Sequence, residues 1–127
     1  MADKKRLLVA DDDPDLLDLL SMDLGYQGYE VLGAVNGKDA LQLALNERLD
    51  LILLDVMMPY IDGYHVAYEV SNKLGPRTPP ILIMTSRDTV REKGIALMSG
   101  AQDVIQKPFE MVKLHERLAL ILAKPAQ

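Results

Sequence analysis

Acidic residues follow two short apolar runs of the sequence, and their position indicates a cation site. Asp11 and Asp12 come after Leu7–Ala10, and Asp55 directly follows Leu51–Leu54. Burial of an unpaired carboxylate is costly, and two carboxylates ~4 Å apart repel by about 4 kcal/mol at an effective dielectric of 20. A hard divalent cation would offset that repulsion. Mg²⁺ is favoured because it accepts a few carboxylates and keeps water ligands that a substrate phosphate can replace.

Hydroxyl groups and a lysine follow two further apolar runs and extend this chemistry. Thr85 and Ser86 come after the fourth run, and Lys107 comes after the fifth. Lys107 could pair with Asp55 or with a phosphoryl oxygen, and the Thr85 hydroxyl could donate to that group. Asp55 would be the nucleophile of a phosphoryl transfer in which positioning and charge neutralisation supply the catalysis. Taken alone, Asp11–Asp13 are more typical of a capped turn, Lys107 of a surface and Thr85 of a strand, so the prediction depends on their joint arrangement with Asp55.

The elements that must position these residues alternate between apolar runs and helix-like stretches. Runs without apolar–polar alternation are typical of a parallel sheet covered on both faces, with right-handed crossovers and a ligand site at the carboxyl ends of the strands. The sequence therefore predicts an α/β fold with a five-stranded, doubly wound parallel sheet. The predicted strands are Leu7–Ala10, Tyr29–Ala34, Leu51–Leu54, Ile81–Met84 and Asp103–Ile105. The predicted helices are Asp13–Leu24, Lys38–Glu47, Tyr64–Leu74, Thr89–Met98 and Glu110–Leu122.

The first helix has the clearest end signals. Asp13 is a favourable N-cap, Pro14 suits the first helical position, and Gly25 suits the exit. The apolar arc of this helix includes Leu16 and Leu19, which lie beyond the ~100° that one buried face requires. Those two leucines are either partly buried or available to a partner.

Size and composition limit the classes of function. The chain has 127 residues, 14 Lys plus Arg, 19 Asp plus Glu and no cysteine, which predicts a single domain over 1–127 with a core at about 5–122 and a tail or linker at 123–127. Lack of cysteine excludes disulfides, thiolate zinc sites and thiol nucleophiles. The acidic balance argues against direct nucleic-acid binding. No apolar run approaches the ~18 residues of a membrane span, so we expect a soluble, cytoplasmic protein.

The sequence resembles the receiver domain of two-component response regulators from about Lys5 to Leu122. The resemblance rests on an ordered set of motifs, namely Leu7–Pro14, Asp55–Gly63, Ile83–Ser86, and the stretch from Gly100–Ala101 through Lys107–Phe109. It implies a flavodoxin-like (βα)5 receiver fold. It also implies a phosphorylation-controlled switch that catalyses only its own phosphorylation and dephosphorylation, and is otherwise no enzyme.

The resemblance implies a role for each site residue. Asp55 would accept a phosphoryl group from a histidine kinase or histidine phosphotransfer protein. Magnesium would be bound directly by Asp12, by Asp55 and by the Met57 backbone carbonyl, and mainly through a water by Asp11. Thr85 would be the switch hydroxyl, Ser86 the small neighbour that gives access to it, and Lys107 the family's cation, followed by a cis bond to Pro108.

The resemblance also bears on partners and on the switch. Leu16, Leu19 and Pro108 are predicted to dock the phosphodonor, and the signal would pass to an effector protein or a fused output domain. Val104 stands three residues before Lys107, where many receivers carry Tyr or Phe. We therefore expect activation to be transmitted by backbone shifts around Thr85 and 87–98, without a rotating ring.

Two alternatives remain open from the sequence. The first is a pseudo-receiver that binds partners without phosphate, which the intact acidic, hydroxyl and lysine set disfavours. The second is an aspartate-nucleophile phosphohydrolase acting on a small molecule. That class usually has a second aspartate two residues after the nucleophile, where this chain has Met57, and it has a cap insertion that this chain lacks.

Overall fold

The computed structural model describes residues 4–123, which form one parallel sheet with helices on both faces. The strands are β1 (Arg6–Ala10), β2 (Glu30–Ala34), β3 (Leu51–Asp55), β4 (Ile81–Thr85) and β5 (Asp103–Gln106). The helices are α1 (Pro14–Tyr26), α2 (Gly37–Asn46), α3 (Gly63–Leu74), α4 (Thr89–Met98) and α5 (Met111–Ala123), with a 3₁₀ turn at Gly75–Arg77. The strand order is β2-β1-β3-β4-β5. The predicted five-stranded, doubly wound fold is confirmed.

Two separate cores cover the faces of the sheet, which explains the unbroken apolar strands. Every residue of β3 and β4 is buried. Alternate side chains of the strands point to opposite faces, where one set packs against α2, α3 and α4 and the other against α1 and α5. Each fully buried Leu, Ile or Val contributes about 1.5–3 kcal/mol. These central strands therefore hold the residues at their ends in fixed positions.

The ends of the first helix differ in how well they were predicted. Asp13 caps α1 as expected, and its Oδ1 accepts a hydrogen bond from the Asp15 amide at 3.0 Å. The predicted exit at Gly25 is wrong, because α1 continues through Gly25 to Tyr26. Two residues beyond the end of α1, Gly28 has a left-handed backbone, with φ of +97°. A glycine inside a helix costs only about 1 kcal/mol, so Gly25 does not by itself end the helix.

The carboxyl end of the described chain is helical. Ala123 is the last residue of α5, so the predicted tail does not include it, and 124–127 lie outside the described residues. Within residues 4–123, none of the helices is long and apolar enough to cross a bilayer.

Candidate functional site

The candidate site lies at the carboxyl edge of the sheet, where the strand register brings distant residues together. Parallel pairing of β1 with β3 matches Ala10 with Leu54, so Asp11 and Asp55, the next residues of each strand, are neighbours. β2 and β3 lie on either side of β1, so the strand order reverses direction at β1. This is the place where doubly wound sheets bind ligands.

Three carboxylates converge at this edge. Asp11 and Asp55 are buried, whereas Asp12 is exposed. Each offers a carboxylate oxygen within 4.8 Å of the others. Mg²⁺ coordinates oxygen at about 2.0–2.1 Å, so oxygens at this spacing can approach one ion with small side-chain movements. The donor set therefore fits a hard divalent cation.

Lys107 supplies the fixed positive charge of the cluster. Its Nζ lies 2.6 Å from Asp11 Oδ2 and 3.1 Å from Asp55 Oδ1. Its backbone amide donates to the Thr85 carbonyl at 2.7 Å, which ties the residue after β5 to the end of β4. Three carboxylates and one ammonium give a formal charge of −3 + 1 = −2. The site therefore still has an excess of negative charge for a divalent cation to neutralise.

The pKa of Asp55 reflects its burial and the charges of its neighbours. The pKa of Asp55 is raised to about 6, mainly by burial and then by the nearby Asp11 charge, with Lys107 opposing both effects. Burial lowers the pKa of Lys107, but its hydrogen bond to Asp11 and the charge of Asp55 raise it more, so the net pKa is raised. At neutral pH the site therefore holds a charged lysine beside an ionised Asp55 carboxylate that is costly to keep charged.

The oxygen atoms of the cluster differ in whether they already accept hydrogen bonds. Asp11 Oδ1 accepts from the Asp13 amide at 2.9 Å, and its Oδ2 accepts from Lys107. Within residues 4–123, neither the Asp12 carboxylate nor the Met57 carbonyl accepts a hydrogen bond. The Asp12 carboxylate and the Met57 carbonyl are therefore free to contact a cation directly. The Asp11 oxygens already accept hydrogen bonds, so Asp11 suits a contact with the cation through water.

The hydroxyl residues lie at the end of β4. Thr85 is buried, and its Oγ1 accepts a hydrogen bond from the Arg87 amide at 3.0 Å. The Thr85 hydroxyl can therefore donate its proton in a hydrogen bond to another acceptor. Ser86 is exposed. The fold thus brings Asp11, Asp12, Asp55 and Lys107 together and places Thr85 at the carboxyl end of β4, the strand that pairs with β3.

Two glycines at the starts of α2 and α3 hold the loop after Asp55 in place. A Cβ on Gly63 would lie 2.2 Å from the Asp55 carbonyl oxygen, and one on Gly37 would lie 1.8 Å from that of Ile61. Real Cβ atoms do not approach so closely. The available sequence signal was that each glycine directly follows an N-cap, Asn36 or Asp62.

Tyr60, in the same loop, has a conformation that the sequence did not reveal. Its φ is +71°, and the Ile61 amide donates to the Pro59 carbonyl at 2.9 Å across it. This is the γ-turn with positive φ, which is rare and strained. The Tyr60 side chain is 82% exposed, so packing of the ring does not offset the strain.

The remaining sequence predictions concern the surroundings of the site. The Lys107–Pro108 bond is cis, as expected. Val104 is buried and borders a cavity of about 330 Å³ that Phe109 also lines. Leu16 is half-buried, whereas Leu19 and Pro108 are exposed. Of the two leucines, Leu19 is thus the more available to a partner.

Comparisons with known proteins agree with this geometry. The family model described as the response regulator receiver domain matches residues 7–119. The chain is 42% identical over 113 residues to the transcriptional regulatory protein YrkP of Bacillus subtilis, covering 89% of this chain and 47% of that protein. It is 37% identical over 120 residues to the alkaline phosphatase synthesis transcriptional regulatory protein PhoP of the same organism, covering 94% and 49%. The chain thus spans about half the length of these curated relatives.

Solved structures show the same fold. A response regulator from Chloroflexus aurantiacus has a TM-score of 0.88 and 35% identity, covering 96% of this chain and 100% of that one. A chemotaxis response regulator of Vibrio cholerae has a TM-score of 0.88 and 29% identity, covering 94% and 99%. Together with the family match, these likenesses show that the chain belongs to the receiver domains of two-component response regulators, which are signalling proteins.

Proposed function

We propose that this receiver domain is a working phosphoacceptor, in which Asp55 takes a phosphoryl group from a phosphohistidine of a histidine kinase or histidine phosphotransfer protein. The observation that carries the proposal is the position of Lys107, whose ammonium group contacts Asp11 and Asp55 at once. A pseudo-receiver has no need to keep a buried carboxylate at this cost. The family match gives the class of reaction.

The transfer step can be written from the side chains present. An Asp55 carboxylate oxygen attacks phosphorus, the bond from phosphorus to the histidine nitrogen breaks, and that nitrogen keeps the electron pair and takes up a proton. Lys107 then neutralises a phosphoryl oxygen in place of the Asp55 oxygen, and the Thr85 hydroxyl donates to another. These groups act by position and charge.

Magnesium is the proposed cofactor. Asp12, Asp55 and the Met57 carbonyl would hold it directly, and Asp11 through a water. When bound, it supplies positive charge that offsets the three carboxylates and the phosphoryl oxygens. The unused oxygens of Asp12 and Met57 and the net charge of the cluster support this assignment.

The proposed phosphodonor surface consists of Leu16, Leu19 and Pro108, which flank the site. Asp13 caps the helix that carries Leu19, and Pro108 directly follows Lys107. Leu19→Glu should slow phosphorylation by the donor protein and leave phosphorylation by acetyl phosphate unchanged. The matched control is Leu97→Glu, because Leu97 on α4 is similarly exposed, 54% against 55%. Unchanged transfer from the donor protein to Leu19→Glu would exclude this surface.

The output of the switch lies outside this domain. The curated relatives named above are transcriptional regulators by name, and the chain spans about half of each. We infer that phosphorylation changes the binding of this domain to a fused output domain or to a separate effector protein. Val104 has no ring to rotate, so backbone shifts around Thr85 and along α4 would carry the change.

The proposed function is tested by intact mass after incubation with magnesium and acetyl phosphate. The wild type should gain the mass of one phosphoryl group, and Asp55→Asn should gain none. Asp18→Asn, at an exposed position of α1, should behave like the wild type, and a chelator should prevent the gain. A folded wild type that gains nothing with magnesium present would favour the pseudo-receiver instead.

A further inference from the structure

A side-chain hydrogen bond joins α3 to α4 near the site. The Tyr64 hydroxyl donates to Glu92 Oε1 at 2.8 Å, and Glu92 is only 5% exposed. Among the described residues it is the one side-chain hydrogen bond between these two helices. A buried carboxylate that lost this donor would have its desolvation uncompensated. The bond therefore fixes the first turn of α4 relative to α3.

The Tyr64 end of this bond is held against the phosphorylation site. Tyr64 follows Gly63, whose missing Cβ would lie 2.2 Å from the Asp55 carbonyl oxygen. The Gly63 amide also donates to the Val56 carbonyl at 2.9 Å. The start of α3 thus has little freedom to move independently of Asp55.

Glu92 lies on α4, whose first turn borders an exposed segment and a cavity. The segment before α4, Ser86–Asp88, is exposed, and the Arg87 amide is held by Thr85 Oγ1 at 3.0 Å. A cavity of about 420 Å³ borders this first turn of α4, lined by Arg87, Asp88, Arg91, Glu92 and Ile95. Tyr64 therefore holds the first turn of α4 and Thr85 holds the segment before it, with space beside them, while Lys93 of α4 reaches Asp103 on β5 at 3.9 Å.

We propose that the Tyr64–Glu92 hydrogen bond is a latch that must open when a phosphoryl group is bound at Asp55, so that these two residues tune the affinity of the site. The proposal rests on the proposed function. Rotation of Thr85 Oγ1 towards a phosphoryl oxygen removes the acceptor of the Arg87 amide. Within residues 4–123 the latch is then the partly buried polar contact that resists a shift of α4, since the Lys93–Asp103 ion pair is more exposed and contributes little.

Thermodynamic linkage makes the proposal testable. A contact that exists in only one of two conformations changes the affinity for a ligand that selects the other, whereas a contact present in both changes nothing. A latch that opens on phosphoryl binding therefore lowers affinity, and its removal raises affinity. A purely structural hydrogen bond would affect the stability of the fold and leave affinity unchanged.

The experiment measures the affinity for beryllofluoride, a phosphoryl mimic, by calorimetry with magnesium in excess. Tyr64→Phe should bind about fivefold more tightly than the wild type, as expected from loss of one hydrogen bond. Tyr68→Phe is the matched control, because Tyr68 is half exposed on the same helix, and it should bind like the wild type. Glu92→Gln keeps an acceptor for the Tyr64 hydroxyl and should show a smaller effect.

Tyr64→Phe leaves Glu92 buried without its donor and can prevent folding. The double variant Tyr64→Phe with Glu92→Met also opens the latch and leaves no buried charge behind, so it should fold and show the tighter binding. Hydrogen exchange gives a readout without beryllofluoride, and the amides of 92–96 should exchange faster in the latch variants than in the control.

The outcomes separate the two proposals. Binding by the wild type with equal affinity in the folded latch variants would overturn the latch and leave the phosphoacceptor function standing. Weaker binding in those variants would overturn it as well. A wild type that binds no beryllofluoride would overturn both.

Discussion

Replacement of Asp55 by Asn should stabilise the metal-free protein. Burial and Asp11 raise the pKa of Asp55 from 3.8 to about 6, a change of about 2 units, and each unit corresponds to about 1.4 kcal/mol. Keeping Asp55 ionised in the fold therefore costs about 2–3 kcal/mol. Asn has nearly the shape of the protonated acid, and its carbonyl can still accept from Lys107. We expect Asp55→Asn to raise the free energy of unfolding by that amount at pH 8.

The sign and the pH range follow from proton linkage. Because the pKa of Asp55 is higher in the folded state than in the unfolded state, the folded protein binds more protons between about pH 4 and 6. The Asp55 contribution to stability therefore falls as the pH rises through this range. The advantage of Asp55→Asn should be near zero at pH 4, grow up to about pH 6, and stay constant above it.

Urea unfolding in the presence of a chelator, at a series of pH values, measures this difference. Asp18→Asn on the exposed face of α1 is the control, and its difference from the wild type should be small and flat. Added magnesium should then stabilise the wild type, by about 2.7 kcal/mol at a hundredfold excess over Kd, and reduce the gap. A variant that is less stable than the wild type at every pH would refute the reasoning, because Lys107 would then outweigh the burial of Asp55.

Three further predictions concern charge, close approach and strain. Lys107→Met should raise the pKa of Asp55 further, because it removes the cation that opposes burial, and should lower the acetyl phosphate labelling rate at least about tenfold; an unchanged rate would argue against its role. Gly63→Ala should destabilise the fold by more than about 2 kcal/mol in urea unfolding, whereas Gly94→Ala, where a Cβ meets open space in α4, should stabilise it by up to about 1 kcal/mol. Tyr60→Gly should increase the free energy of unfolding by about 1 kcal/mol through relief of a positive φ, and a loss of stability would show that the exposed ring contributes packing.

The alternation of elements was predictable because each signal is local. A stretch such as Leu51–Leu54 is apolar at every position, which is typical of a short strand covered on both faces. Asp13 and Pro14 define a helix start from adjacent residues. The candidate site followed from the same logic, since parallel strands end at one edge and their following residues meet there.

The features that could not be predicted depend on contacts between distant segments. The lysine that joins Asp11 and Asp55 was expected near them, but its simultaneous contact with both depends on the packing of β5. The Tyr64–Glu92 bond links residues 28 positions apart on two helices, and neither residue type indicates a buried pair. The strained turn at Tyr60 is set by its neighbours, because nothing in a tyrosine favours positive φ.

The Lys107–Asp11 contact has a consequence for how the chain folds. It spans 96 positions of the sequence, whereas pairing of β1 with β3 already brings Asp11 beside Asp55 within the first half of the chain. A fragment ending before β5 would gather these carboxylates without their ammonium partner, and their repulsion would oppose its assembly. Docking of β5 and α5 supplies Lys107 and reduces that penalty, so the electrostatics of the site favour assembly of the two halves as one cooperative unit. A truncation after α4 should therefore lose the amino-terminal half of the fold as well.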